Sequence, residues 1–413
     1  MRMKREMVLW LVVLSCGFAD VAAAAGLLRP AAGDQVPTTL VAPPPAAPAT
    51  AERAEIGFSW PVGPTAPVES APPPRAASRE YWVTVEAAEL ARGFELFTTA
   101  PGALVRIQPT GPEKDRRIVD PRDLMIASPG GEERPVAEAA EALASAEELA
   151  AAGAPFAEGT SAFRLRDELG AGRFVLRAAS VEPGRYLLHV FDRGSALALE
   201  VESARADYLG GGRLALAARL VDAGVAVVAD RMEGFVVSPA GRVMPVALRR
   251  AADGSFAATA ALPRAVESGA DGLWELVASA RGSRDGLVVL RTARVAFAVA
   301  TPTARLDGSA EPVDLRQDGA AVRFGVETAV AGRYELRGVL WGTDAEGRAA
   351  AAAVAHSAAW LEAGRGALTL RFDPAAVKAA DLAGPWEVRG LELRDQGRMG
   401  LLERRARALV LAP

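Results

Sequence analysis

The chain has 413 residues, half of them apolar and 24% charged, with a formal net charge of −4. That length allows two to four domains with cores of ordinary size, and the composition excludes disorder over most of it. A balance so near neutrality supplies no basic field for a phosphate backbone, so nucleic acid is not an expected partner.

Residues 1–25 read as a secretory signal peptide. Arg2, Lys4 and Arg5 precede the apolar run Met7 to Leu14, and small residues follow at Ala22 to Ala25. A membrane-spanning helix needs about 20 apolar residues, and Asp20 interrupts the run too early. The mature chain is therefore expected to carry no transmembrane helix and to be exported, to the periplasm or beyond the cell. Cys16 is the only cysteine. Its setting, Val13-Leu14-Ser15-Cys16-Gly17, resembles the lipobox of bacterial lipoproteins, although Leu14 fits that pattern poorly. Lipid anchoring through Cys16 stands as the alternative to cleavage near Ala25. With one cysteine, no disulfide can stabilise a monomer, and stability must come from packed cores.

Residues 26–79 hold 12 prolines, including Pro43-Pro44-Pro45 and Pro72-Pro73-Pro74, and few apolar side chains. Such a stretch does not offset the entropy of ordering, which predicts a Pro/Ala-rich disordered linker. One island, Ile56-Gly57-Phe58-Ser59-Trp60, interrupts it. It is expected to dock on a neighbouring domain, the alternative being a strand donated to a partner's sheet edge.

Residues 80–203 read as an N-terminal β-rich domain. Tyr81 to Val85 and Ala103 to Ile107 are runs of β-branched and aromatic residues closed by turn signals. Inside this unit the spacing predicts one helix over 135–152: Pro135 suits a first turn, Gly153 stands just past the end, and Val136, Ala140, Leu143 and Ala150 form an apolar stripe.

A cadence then recurs four times, at Gly184 to Val190, Gly272 to Ala278, Gly332 to Val339 and Gly384 to Leu391: a glycine, one residue, a large aromatic, then apolar residues at every second place. Period two marks a half-buried antiparallel strand, and the aromatics Tyr186, Trp274, Tyr334 and Trp386 are expected as core anchors. Asp-Gly pairs at 253, 271, 285, 307 and 318 are hairpin signals beside these runs. The fold class is thus mainly β, with tandem immunoglobulin-like antiparallel β-sandwiches at 204–300 and 301–413. Leu197 to Val201 suits either side of the first border. Ala349 to Ala353 has helical composition, but its hairpin-like flank makes a strand the better fit.

Catalytic signatures are sparse. His189 and His356 are the only histidines, and no zinc helix, phosphate loop, dinucleotide motif or nucleophile elbow occurs. No catalytic, cofactor-binding or metal-binding residue is assigned, and no cofactor is expected. His189 lies opposite in face to Leu188, toward solvent. Ser161 or Ser195 would be the nucleophile of a hydrolase, but no spacing supports a triad. Asp192, Asp207, Asp344, Glu346 and Asp373 fall near turns that suit calcium, without the dense acidic loop.

The stretch from Glu89 to Ile107, above all Thr99-Ala100-Pro101-Gly102-Ala103-Leu104-Val105-Arg106-Ile107, resembles the opening of an uncharacterised family of exported proteobacterial proteins. That family's plan is a signal peptide, an N-terminal β-rich unit and immunoglobulin-like modules. The resemblance implies export and fold for nearly everything after about residue 80, and it brings no catalytic residues. The expected function is that of an exported, non-enzymatic protein with a binding, adhesion or scaffold role, contacting a protein or glycan at the cell envelope. The alternatives are a secreted hydrolase with its site in the N-terminal folded domain, or an accessory module of a secretion or surface assembly.

Overall fold

Burial alternates along the strands Trp274–Arg284 and Ala320–Thr328, as a sheet with one face on a core requires. In the computed structural model, which describes residues 26–44, 52–63, 72–111, 117–178, 183–264, 272–313 and 320–411, such strands build three sandwiches in chain order. Each has two sheets around its own apolar core. The pairing is antiparallel except for Asp207–Leu209, which runs parallel to Leu287–Ala300. Among the described residues no helix is long and apolar enough to cross a membrane. The leader, 1–25, and Cys16 lie outside the described residues.

In the first sandwich one sheet is ordered Glu80–Glu86, Arg185–Phe191, Leu104–Thr110, Ser161–Leu165, Ala140–Ala144. The facing sheet is ordered Phe94–Phe97, Arg173–Ala178, Leu124–Ala127, Glu133–Pro135. The single helix expected over 135–152 is not formed. Val136–Ala139 makes one turn, Ala140–Ala144 is an edge strand on Ser161–Leu165, and Ala146–Ala151 is a second short helix. Ser145 forces the break: its Oγ accepts from Glu148 N at 3.2 Å while the Glu148 carboxylate accepts from Ser145 N at 2.7 Å. This capping box restarts the helix there, and the sheet edge takes up the backbone before it against alanine's helical preference.

The first border also moves. Leu197–Ser203 pairs along Arg213–Asp222, and Leu197, Leu199 and Val201 enter the second core. The border therefore falls between Phe191 and Leu197 instead of at 203, because strand pairing with the following hairpin decides membership.

The expected disordered linker, 26–79, carries ordered structure in 26–44, 52–63 and 72–79. Arg75–Ser78 adds an edge strand to Leu197–Ser203. Ile56–Pro61 adds one to Ala349–Leu361, in register from Ile56↔Ala358 to Pro61↔Ala353. Gly26 to Pro44 lies against the third sandwich, with Leu28 N donating to Ala408 O at 2.8 Å, Gln35 N to Arg404 O at 2.9 Å and Ala406 N to Asp34 Oδ1 at 2.8 Å. A proline-rich segment with no core of its own is ordered by backbone hydrogen bonds to existing sheet edges, which also covers those edges. The docked island and the added strand are thus one arrangement, made within this chain. Residues 45–51 and 64–71 lie outside the described residues.

Candidate functional site

Register places Trp82, His189 and Arg106 side by side across three strands of the first sandwich, and directly opposed residues share a sheet face. Glu80, Leu187 and Gln108 lie on the same face at alternate positions. His189, expected toward solvent, instead lies on a face that another part of the chain covers. The second sandwich stands over it, bringing Val237, Glu275, Val277 and Arg294, and the segment at Phe156 and Thr160 closes one side. Between them is a cavity of about 470 Å³, and His189 is only 8% exposed.

Protein groups hold the imidazole on both sides. Arg106 Nε donates to His189 Nδ1 at 2.8 Å, and Arg106 Nη2 also reaches that atom. A guanidinium has no acceptor, so Arg106 is the donor in these contacts, and its Nη2 also lies 3.3 Å from Nε2. Nε2 itself lies 2.8 Å from Glu80 Oε2. The hydrogen bond from His189 holds the Glu80 carboxyl below its ordinary range, and the Arg106 and Arg294 cations add to this against a burial that opposes it. Burial draws the Arg106 guanidinium down from its usual value. Aromatic faces support both arginines. Arg106 lies 4.9 Å from the Phe156 centroid and Arg294 lies 5.8 Å from that of Trp82.

A second ionic cluster crosses the same junction. Arg291, from the second sandwich, donates through Nη2 to Asp192 Oδ2 at 2.9 Å, Thr99 Oγ1 at 2.7 Å and Ser195 Oγ at 2.8 Å. Its Nε donates to Leu197 O at 2.9 Å and its Nη1 to Leu290 O at 2.7 Å. Asp192 also accepts from Thr99 N at 2.7 Å and Ala100 N at 3.1 Å. Both charged side chains are fully shielded from water.

The residues singled out from sequence are dispersed. Tyr186, Trp274 and Tyr334 are 1%, 1% and 0% exposed, one in each core. Burial pushes the Tyr334 hydroxyl up to about 12, and that hydroxyl donates to Val330 O at 2.8 Å. Trp386 is half-buried against the third core. Ser161 Oγ donates to Val119 O at 2.8 Å and Ser195 belongs to the Arg291 cluster, so neither is aligned on a histidine. His356 Nδ1 lies 2.6 Å from Glu335 and its ring stacks with Phe58 and Trp60. Asp207 pairs with Arg404, Asp344 and Glu346 with Arg348, and Asp373 caps the helix Pro374–Ala379. Among the described residues no group of three or more histidine, cysteine or acidic side chains is placed to hold a metal ion.

Sequence reasoning missed Glu80, Trp82, Arg106, Phe156 and Arg294. The available signal was a tryptophan and a histidine at outward positions of adjacent strands. What covers them comes from the segment at Phe156 and Thr160 and from the second sandwich, remote in sequence from both strands.

The N-terminal domain of a domain of unknown function (DUF4785) matches residues 47–192, and the C-terminal domain of the same family matches residues 303–412. Among solved structures, a DUF4785 family protein from Legionella pneumophila is similar over 88% of this chain and 95% of its own, with a TM-score of 0.70 and 22% identity. Likeness at that identity bears on the fold alone. The tetra-tandem repeat in the extending region of a large adhesion protein covers 76% of this chain and 67% of its own at 17% identity, but with a TM-score of 0.17 it carries no argument. No curated protein matches the chain. Glu80, Trp82, Arg106, Phe156 and His189 fall within the N-terminal match, while Arg294 falls between the two.

Proposed function

Because this chain belongs to the DUF4785 family of unknown function, we propose its role from its cleft: it is an exported, non-enzymatic binding protein of the cell envelope that holds a ligand between its first two sandwiches. The observation that carries this reading is the engagement of His189. Both ring nitrogens are held by protein groups, so the cavity presents positioned guanidiniums and aromatic rings without a free base beside a nucleophile. A glycan or a protein segment of the envelope is the expected occupant. Export rests on the leader at 1–25. Cleavage after Ala25 leaves Gly26, which pairs with Ser309 on the third sandwich, as the first residue of the mature chain.

Hydrogen exchange of the mature chain with purified envelope glycans and envelope proteins tests the cleft. Slowed exchange in Glu80–Glu86, Arg185–Phe191 and Trp274–Arg284 is expected. Protection confined to other strands overturns the site, and conversion of a bound glycan to product replaces the reading with the hydrolase. Mass spectrometry of the exported protein tests the leader: a chain beginning at Gly26 is expected, and a chain beginning at an acylated Cys16 makes the protein lipid-anchored.

A further inference from the structure

Two guanidiniums reach the cavity from opposite walls, Arg106 from the first sandwich and Arg294 from the second. Many other arginines of this protein sit in close carboxylate pairs, among them Arg219 with Glu200 at 2.6 Å, Arg305 with Glu327 at 2.7 Å and Arg405 with Glu403 at 2.6 Å. The cleft pair differs. Arg106 directs Nε and Nη2 at the imidazole of His189, and Arg294 approaches Glu275 no closer than 3.8 Å. Each is held over an aromatic face instead, an arrangement that orients the fork of donors while leaving its charge uncompensated at short range. The charge of Arg294 is among the influences that draw Arg106 down, so the two cations repel one another across the gap.

We propose that the cleft takes a small ligand bearing one carboxylate, which bridges Arg106 and Arg294 and lays its uncharged part against Trp82 and Phe156. The proposal rests on the cleft being a binding site. A carboxylate accepts from two guanidinium forks at once, and such charge-assisted bonds are the strong ones in a site partly withdrawn from water. Glu80 and Glu275 line the same cavity and select against a second negative group, which makes a monoanion fit better than a polyanion. A volume of about 470 Å³ suits a ligand of sugar-acid size. Because the two arginines belong to different sandwiches, binding also closes the junction between them.

Titration calorimetry and thermal unfolding of the mature chain test this with glucuronate, glucose and inorganic phosphate. Saturable binding of glucuronate is expected, weakening as salt is raised, with a raised melting temperature. Glucose, of the same shape without the carboxylate, and phosphate, with its higher charge, are expected to bind at least tenfold more weakly. Arg294→Gln, at a side chain that is largely exposed, is expected to leave unliganded melting unchanged and to weaken glucuronate at least tenfold. Arg106→Gln is expected to weaken it likewise. Equal affinity for glucuronate and glucose, tighter binding of phosphate, or undiminished glucuronate binding by Arg294→Gln overturns the carboxylate bridge. If glucuronate fails to bind while an uncharged envelope glycan protects the cleft strands from exchange, the bridge is wrong and the binding site stands. If nothing protects those strands, both fall.

Discussion

Two ionic clusters of similar make-up join the first sandwich to the second, and they differ chiefly in their access to water. Around Asp192 and Arg291 both side chains are sealed, and each nitrogen of the guanidinium has an acceptor among Asp192, Ser195, Thr99 and two backbone carbonyls. Around Glu80, His189 and Arg106 the chain of hydrogen bonds stops at a cavity, with Arg294 facing it. A closed network rigidifies one arrangement of the two units. An open one keeps donors in reserve for something not in the chain. The junction thus holds a fastening and a receptor side by side, on residues Asp192 and His189 only one strand end apart.

Removing one partner from each cluster is the most direct way to break that contrast. Asp192→Ala strands a guanidinium fully shielded from water, and is expected to cost about 3 to 5 kcal/mol in urea unfolding of the mature chain. A loss under about 1 kcal/mol means that the pair does not fasten the junction. Glu80→Ala, in the cleft, is expected to cost no more than about 1 kcal/mol, because Glu80 is a third exposed and lines an open cavity. Comparable losses from the two substitutions erase the distinction between fastening and receptor.

Legibility in the sequence followed the range of the interactions. The Asp285-Gly286 turn joins Trp274–Arg284 to Leu287–Ala300 with Arg284 opposite Leu287, and both turn residues have positive φ, 50° and 78°. That is the two-residue hairpin for which the dipeptide is a signal. Tyr186, Trp274 and Tyr334 were legible as large rings at inward positions for the same local reason. The strand Ile56–Pro61 was visible as an apolar island, but its pairing with Ala349–Leu361 leaves no local trace. The helix expected over 135–152 failed where a four-residue capping motif, Ser145 to Glu148, outweighed alanine content. The cleft was least legible of all. Outward residues of one sandwich become walls of a cavity only when another sandwich stands over them, and no period within either strand records that.

Acid sharpens the comparison at its finest grain. Glu80 ordinarily titrates near 4.5 and is held lower in the fold, first by its hydrogen bond from His189. A carboxyl with a depressed folded value stabilises the protein above its unfolded value, and that contribution fades as the pH falls through the folded one. The difference in unfolding free energy between the wild type and Glu80→Gln is therefore expected to be constant from neutrality to about pH 5. Below about 4.5 it shrinks, within a span of less than 1 kcal/mol for a group this exposed. Glu335, held low in the same way by His356 in the third sandwich, gives a matched pair away from this cleft, since Glu335→Gln should follow the same profile. Glucuronate separates the two. Bound between Arg106 and Arg294, it should move the acid limb of the Glu80 comparison and leave that of Glu335 unchanged. Identical profiles with and without the sugar acid would mean that the charge on Glu80 is indifferent to the contents of the cavity.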